Sequence, residues 1–415
     1  MPRRQRWTPV RGTGSRVYDA RERFALGLLD LPGRAAAAVR RGLGRGREPS
    51  PIDAGALRDV LVLRLDRIGD VLMSLPALHD LRRALPHARI RLAVGQWSQD
   101  AAKSAPVDEL LLWSAPWAGR RDEGADTVAG LWRKSGALSG LDLALDLQGD
   151  VRASALLWRT RAPLRVGYAN TGGAYLLTHV VPLDETISWV EQNRRAVAQV
   201  VGPATGPPRL GTLADEARAE GERLVAGLGL GEARPRVGIH PGGGRRVKQW
   251  PADRWGAVGA RLQRDFGARI VITGSVADRE LCAAVAAGLP EPAADLTGRL
   301  SLREMMALVS VLDLLLSPDT GPMHMACALG TPSVSVFGPS DPLRYFSGAD
   351  HDPARHLAVR AELWCSPCNL IRKPPAECAG PAPPECLRLV SEEQVFSRAV
   401  ALLRPGRAGA ERSTL

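Results

Sequence analysis

The stretch Leu312-Asp313-Leu314-Leu315-Leu316-Ser317-Pro318-Asp319-Thr320-Gly321-Pro322-Met323-His324 decides the fold, because it runs from a buried strand through a tight loop into a helix. Leu312 and Leu314 to Leu316 make the near-continuous apolar run of a parallel strand covered on both faces. Gly321 has no Cβ to hold a ligand away from the backbone, and Pro322 suits the first turn of a helix expected over 322–329. Such a helix points its free N–H groups and positive dipole end at the loop, which is the chemistry of an anion site and suits a diphosphate. A second reading makes Asp319 or Thr320 a plain helix cap.

The same strand, loop and helix unit recurs on either side. Val60-Leu61-Val62-Leu63 leads through Arg64 to Asp70 into Val71, Leu72, Leu75, Leu78, Leu81 and Leu85 at helical spacing. Strands are expected at 90–94, 110–113 and 143–147, with helices over 128–138 and 151–158. Proline and glycine at 202–208 interrupt any element and mark a linker. Beyond it, strands at 237–240, 269–273, 312–317 and 333–337 alternate with helices over 254–266, 278–288, 302–310 and 322–329. This is the α/β class, with two doubly wound, Rossmann-like domains whose ligands belong at the carboxyl ends of the strands, in a central cleft. The expected division is a flexible basic extension at 1–56, a first domain at 57–205 and a second at 206–390 containing a cysteine segment at 365–386. Residues 391–415 are expected to form a helix packing back toward the first domain, then a tail.

A chain of 415 residues, 45% hydrophobic, fills two such cores. Its formal charge of +11 is concentrated: residues 1–50 hold twelve arginines against four acidic residues, which is +8 of the total. Attraction to a polyanion or a membrane therefore belongs first to the leader, and nucleic acid is not expected as a partner. The leader also carries Phe24, Leu26, Leu28, Leu29 and Leu31 before Pro32-Gly33. It reads either as a disordered extension or as a segment resting on an anionic membrane surface. No run approaches the roughly 20 apolar residues of a membrane span, and no signal-peptide core appears, so a cytoplasmic location is expected, with peripheral membrane contact through the leader as its variant.

Three loops carry candidate chemistry. In Arg64-Leu65-Asp66-Arg67-Ile68-Gly69-Asp70, Gly69 permits close approach and Asp70 suits a general base, or else a helix cap. Pro241-Gly242-Gly243-Gly244-Arg245-Arg246-Val247-Lys248-Gln249-Trp250-Pro251 places three glycines before a positive cluster, as expected where amides and a lysine meet phosphate oxygens. Lys248 is the expected phosphate contact, and the turn at Asp319, Thr320 and Gly321 is the third loop. Neither a Gly-x-Gly-x-x-Gly after a strand nor a P-loop is present, which sets aside ordinary dehydrogenases and P-loop kinases. Asp350-His351-Asp352 is a weak divalent-metal candidate in a polar loop. Cys365-x-x-Cys368 with Cys378 and Cys386 admits a structural zinc, a disulfide arrangement or separate thiols.

Together these segments resemble glycosyltransferase family nine, the bacterial heptosyltransferases, over roughly Asp59 to Leu403. The likeness rests on Val60 to Pro76 with Ile68-Gly69-Asp70, and on Pro241-Gly242 through Lys248-Gln249-Trp250-Pro251. It continues from Asp319 to His324 and through Ala328-Leu329-Gly330-Thr331-Pro332 to Phe337-Gly338-Pro339-Ser340-Asp341-Pro342. The resemblance implies a GT-B architecture and an inverting transfer that needs no metal or other cofactor, from a nucleotide sugar, characteristically ADP-heptose, to a lipopolysaccharide core or related glycan. It implies Asp70 as catalytic base and Lys248 as the group stabilising the departing diphosphate. Gly69, Gly242, Gly243, Asp278, Asp319, Thr320, Gly321 and His324 then fall on the donor side. Acceptor recognition is expected from Arg67 and Arg152, with Arg64 and Arg165 as further cations of the first domain. A non-hydrolysing sugar-nucleotide epimerase and a non-catalytic sugar-nucleotide-binding protein are the rival readings.

Overall fold

The computed structural model describes residues 51–404 except 119–123, 204–205, 207–213 and 373, and, in the leader, residues 27, 30–35 and 38–39. Most of the basic extension, most of the linker region and the tail from 405 onward lie outside the described residues. Two six-stranded sheets carry the fold, with parallel pairing throughout. The first contains β1 (Asp59–Arg64), β2 (Arg89–Val94), β3 (Glu109–Leu112), β4 (Leu143–Asp146), β5 (Leu164–Gly167) and β6 (His179–Val180), in the order β3-β2-β1-β4-β5-β6. The second contains β7 (Arg236–Ile239), β8 (Arg269–Ile272), β9 (Ala294–Asp295), β10 (Leu314–Pro318), β11 (Ser333–Phe337) and β12 (His356–Arg360), in the order β12-β11-β10-β7-β8-β9. Both follow one winding plan. The order reverses between β1 and β4 in the first sheet and between β7 and β10 in the second, and at such a point the loops leaving the carboxyl ends part to open a crevice.

The longer helices are α1 (Ile68–Ala84), α2 (Val128–Ala137), α3 (Val151–Arg159), α4 (Trp189–Val201) and α5 (Ala214–Gly227). They continue as α6 (Ala252–Phe266), α7 (Arg279–Ala287), α8 (Leu302–Ser310), α9 (Gly321–Leu329) and α10 (Glu392–Leu403). Their faces follow from sequence spacing. In α6, Trp255, Val258, Gly259 and Leu262 recur at three- and four-residue steps and are buried, whereas Asp253 and Arg264 stay off that stripe. Ser301 and Glu304 close a capping box at the start of α8, and Ser391 with Gln394 does the same for α10. Among the described residues no helix is long and apolar enough to cross a membrane.

Helix α9 departs from the one-sided pattern, because Pro322 to Ala328 are all buried. One side lies on β10 and β11 and another packs on α1 of the first lobe. Met325 and Ala326 thereby join Val71, Leu72 and Leu75, with Leu308 and Val309 of α8, in one apolar core that crosses between the lobes. Polar ties reinforce this seam. Arg344 Nη1 donates to the Asp184 carbonyl at 2.6 Å, its guanidinium lies 5.1 Å from the Trp189 ring centroid, and Ser188 Oγ donates to Asp350 Oδ1 at 2.8 Å. The Asp350 carboxylate is thus a seam contact.

The expectation that the last helix returns to the first domain is corrected. Val395, Phe396 and Ala399 of α10 are buried with Trp250, Trp255 and Val336 in the core of the second sheet, so its apolar face is already covered. Trp250 is the centre of that packing: it is fully buried, meets Trp255 edge to face at 4.7 Å, and donates from Nε1 to the Val390 carbonyl at 3.1 Å. We expect Trp250→Ala to lower stability by about 3–5 kcal/mol, read as a shifted urea midpoint, because it removes the ring and leaves the Val390 carbonyl without that donor.

Candidate active site between the lobes

Both crevices open at the seam made by α1 and α9. Helix α1 begins at Ile68, earlier than the apolar spacing suggests, so Gly69 and Asp70 lie in its first turn. A methyl group added at Gly69 would stand 2.6 Å from Cδ2 of His324, so only a glycine lets the two helices approach this closely. His324 is buried, with Nδ1 3.0 Å from Ser347 Oγ. Burial holds its pKa below the usual value against the opposing pull of Asp319 and Asp70, and Lys248 adds to the depression. A neutral imidazole therefore sits within electrostatic reach of Asp70 on one side and the Lys248–Asp319 pair on the other.

On the second lobe, Lys248 Nζ is 2.5 Å from Asp319 Oδ2 and donates to the Asp319 carbonyl at 3.3 Å. Burial alone would raise the Asp319 carboxyl, but Lys248, the Ser340 hydroxyl and His324 outweigh it and hold the pKa below the ordinary value. This contact anchors the lysine at the mouth of α9. Thr320 caps that helix without a side-chain hydrogen bond, and a methyl group added at Gly321 would meet nothing within 4 Å. Open space thus lies in front of the helix N-terminus, which suits an anion. The glycine loop forms the opposite wall. Gly244 turns it at φ +62, a methyl at Gly243 would press on the Lys248 side chain at 3.0 Å, and one at Gly242 would fall 2.6 Å from Asp278 Oδ2. Asp278 uses Oδ2 to accept from Ser275 N at 2.9 Å and Ser275 Oγ at 2.6 Å, so it closes a turn while lying under the loop.

On the first lobe, Asp70 accepts from Arg67 N at 3.3 Å through Oδ2, and its Oδ1 is 3.5 Å from Arg64 Nη2. Arg64, taken from sequence as a cation for the acceptor, is instead 2% exposed and acts as an internal brace. It donates to the Asp70 carbonyl at 3.0 Å and to the Leu147 carbonyl, and its Nε is 3.3 Å from Asp66 Oδ1. The loops after β1 and β4 are thus tied across the switch point. Arg165 is likewise engaged with the Leu176 and Ala162 carbonyls. Arg152 lies against buried Asp150, at 2.8 and 2.6 Å, with its guanidinium 5.0 Å from the Trp117 ring centroid. Arg67 is exposed beside the cleft and lies within electrostatic reach of Arg245, which also feels Arg372.

Two carboxyls escaped the sequence reading. Asp146, fully buried at the end of β4, accepts from Gln148 N at 2.8 Å and Gly149 N at 3.0 Å, and burial pushes its pKa up to about 7. Burial also pushes Asp66 up to about 7, against the pull of Arg64 and with Asp70 and Asp146 adding to the rise. Gln148 Oε1 is buried without a hydrogen-bond partner at the same edge. The signal was topological: β4 pairs with β1 across the switch point, so an acid ending β4 comes to lie within electrostatic reach of the loop that follows β1.

For Cys365, Cys368, Cys378 and Cys386 the sequence admits a zinc, a disulfide arrangement or separate thiols, and the structure has separate thiols. All four thiols are free, and among the described residues no group of three or more ligating side chains is arranged to hold a metal ion. Cys386 is buried, which pushes its thiol up to about 12, and Cys365 is exposed, so burial and exposure treat the four differently.

Two facing doubly wound lobes, with an acidic loop on one and a lysine, a glycine loop and a helix N-terminus on the other, define a glycosyltransferase of GT-B architecture. Residues 132–376, more than half of the chain, match the family described as glycosyltransferase family 9 (heptosyltransferase). The chain belongs to that family, and the epimerase and non-catalytic readings give way. It is similar to lipopolysaccharide heptosyltransferase 1 of Pseudomonas aeruginosa, 29% identical over 327 residues that cover 74% of this chain and 85% of the relative. The crystal structure of a family 9 glycosyl transferase from Veillonella parvula superposes with a TM-score of 0.69 at 25% identity, covering 86% of this chain and 99% of that one. The fold is also that of Escherichia coli ADP-heptose lipopolysaccharide heptosyltransferase II, with a TM-score of 0.63 at 22% identity, over 83% of this chain and 98% of that one.

We expect Gly69→Ala to lower kcat by about tenfold or more through misplacement of the facing groups, with a smaller effect on donor affinity in the same steady-state assay. A second expectation concerns pH. A carboxyl that titrates at about 7 in the folded chain and near 3.9 when unfolded stays protonated on folding across that window. Its contribution to stability is therefore full at the acid end and is lost as pH rises through about 7. Asp146→Asn removes this dependence, so its melting temperature relative to wild type should climb between roughly pH 4 and pH 7 and then level off.

Proposed function

We propose that this chain transfers a heptose from ADP-heptose to a hydroxyl of a lipopolysaccharide core, with inversion at the anomeric carbon and without a divalent cation. The observation that carries the proposal is the convergence of Asp70 and the Lys248–Asp319 pair on His324 at one seam, in a chain of family 9. The names of the Pseudomonas aeruginosa and Escherichia coli relatives support the acceptor class, and the latter supports the donor. In this reading residues 57–205 form the acceptor side and residues 206–390 the donor side.

The chemistry follows from where charge moves. As the bond to the leaving diphosphate breaks, negative charge grows on its oxygens, and Lys248, the amides of the glycine loop and the first turn of α9 at Thr320 and Gly321 meet it. These groups supply the stabilisation that a divalent ion gives elsewhere. Asp70 takes the proton of the attacking hydroxyl on the opposite face of the sugar, held by Arg67 N and the Arg64 brace. His324, neutral and packed on Gly69, lines the floor between them. Gly242 and Gly243 let the backbone approach the donor, and Asp278 lies under that loop on the side of the nucleoside. Arg67 and Arg152 border the acceptor side, where anionic groups of the core polysaccharide are to be recognised.

With ADP-heptose and a core acceptor, Asp70→Asn should retain donor binding by calorimetry and lose turnover by mass-detected product. Lys248→Ala should lose about 10²-fold or more in kcat. Normal turnover by the Asp70 variant removes the base assignment. Release of UDP but not ADP, across a panel of nucleotide sugars offered to wild type, removes the donor assignment.

A further inference from the structure

The outer face of the first lobe is built unlike a solvated surface. Helices α2 and α3 cover the side of the first sheet away from α1, burying Leu131, Leu156 and Leu157 against Leu61 and Leu63. On their outward side two tryptophans stand in the open, Trp132 at 38% and Trp158 at 51% exposure, with ring centroids 6.2 Å apart. Val128, 61% exposed, lies one turn before Trp132. The Arg159 guanidinium sits 5.6 Å from the Trp132 ring centroid. Large aromatic surface left exposed beside cations costs free energy in water, and it is the composition of an interfacial belt, where indoles sit at headgroup depth and arginines reach phosphates.

The charge on this face has one sign. Helices α2 and α3, with Arg161 just beyond, contain Arg133, Lys134, Arg152, Arg159 and Arg161 and no aspartate or glutamate. Asp126 and Asp150 answer Lys134 and Arg152, which leaves Arg133, Arg159 and Arg161 to give the face its charge. The leader joins the same side of the lobe. Asp30 accepts from Gly173 N at 2.7 Å, and Gly33 lies against the Tyr175 ring. The turn at Gly173 in its place abuts Val151 and Ser154 of α3. From this anchorage Leu31 and Val39 are exposed at 54% and 62%, within a leader whose first 50 residues carry eight excess positive charges.

We infer that this face, α2 and α3 extended by leader residues 30–35 and 38–39, docks the first lobe on a bilayer rich in anionic phospholipid. The pairing of exposed indoles with unanswered arginines selects that partner: a zwitterionic surface would satisfy the aromatics but not the charge. The consequence for the reaction rests on the function proposed above, since a membrane-anchored glycolipid would then reach the cleft from the plane on which the enzyme lies.

The test uses the full chain and vesicles of phosphatidylcholine with or without phosphatidylglycerol, without donor or acceptor. We expect sedimentation with the anionic vesicles only. The Trp132→Ala/Trp158→Ala variant should lose about tenfold or more of that binding. The Arg133→Gln/Arg161→Gln variant, which leaves the packed residues untouched, should also lose binding while keeping the wild-type melting temperature. Transfer to a delipidated acceptor, measured in parallel, should be unchanged in both; its absence in wild type counts against the proposed function and leaves the docking result standing. Binding by both variants equal to wild type, no binding by wild type, or a wild-type dimer that the tryptophan variant dissociates each overturns the docking inference.

Discussion

The contact between the Gly69 backbone and the His324 ring fixes the geometry on which everything else depends. Two helix ends from separate sheets meet where no side chain fits, and the meeting is held by an apolar core running through α1, α8 and α9. Because packed interiors resist compression, this sets the spacing between the Asp70 carboxylate and the Lys248 ammonium far more firmly than a solvated hinge would. The inverting transfer proposed above requires such a spacing, since it places the attacking and leaving oxygens on opposite faces of the same carbon.

Charge at the seam is arranged for position more than for stability. Burying ions costs solvation, and a buried pair returns that cost only when its hydrogen bonds are complete. Arg64 meets the requirement by engaging two carboxylates and two carbonyls at once, so that three acids, Asp66, Asp70 and Asp146, stand around a single cation. Three full negative charges there would repel one another. Burial raises both Asp66 and Asp146 to about 7, with Asp70 and Asp146 adding to the rise of Asp66 and Asp150 to that of Asp146, while Asp70 is the most exposed of the three acids around Arg64. On the other lobe the Lys248 ammonium beside Asp319 holds that carboxyl below its ordinary value against the effect of burial.

How much of this was legible in the chain depends on how local the signal is. The strands around Val62, Leu145, Ile239 and Leu315 announce themselves, because central parallel strands are buried on both faces and read as unbroken apolar runs. Outer strands do not: β5 carries Arg165, β12 ends on Arg360, and β6 and β9 are two residues each, too short for any pattern. Lys248, Asp319 and Gly321 were visible as loop chemistry next to those strong strands. The roles of Arg64 and Asp146 were not, because a brace across the β1–β4 switch point exists only once strands far apart in sequence stand side by side. The last helix was misplaced for a related reason. An amphipathic stripe shows that a helix is covered, not by which sheet, and here Trp250 and Trp255 supply the cover.

Helix α9 has two duties that the sequence showed as one. Its N-terminus opens on the space before Gly321, and its flank is part of the core that joins the lobes. An anion that binds at the first turn therefore acts on a rigid body already engaged with α1, and any shift of α9 on binding must be felt at Gly69 through His324. The reverse holds by linkage: whatever free energy anion binding adds to the packing of α1 on α9, that packing returns to the affinity of the anion site. In the proposed reaction, donor binding and the placement of the base are therefore coupled through one contact, and the absence of a Cβ at residue 69 is what allows that contact to close.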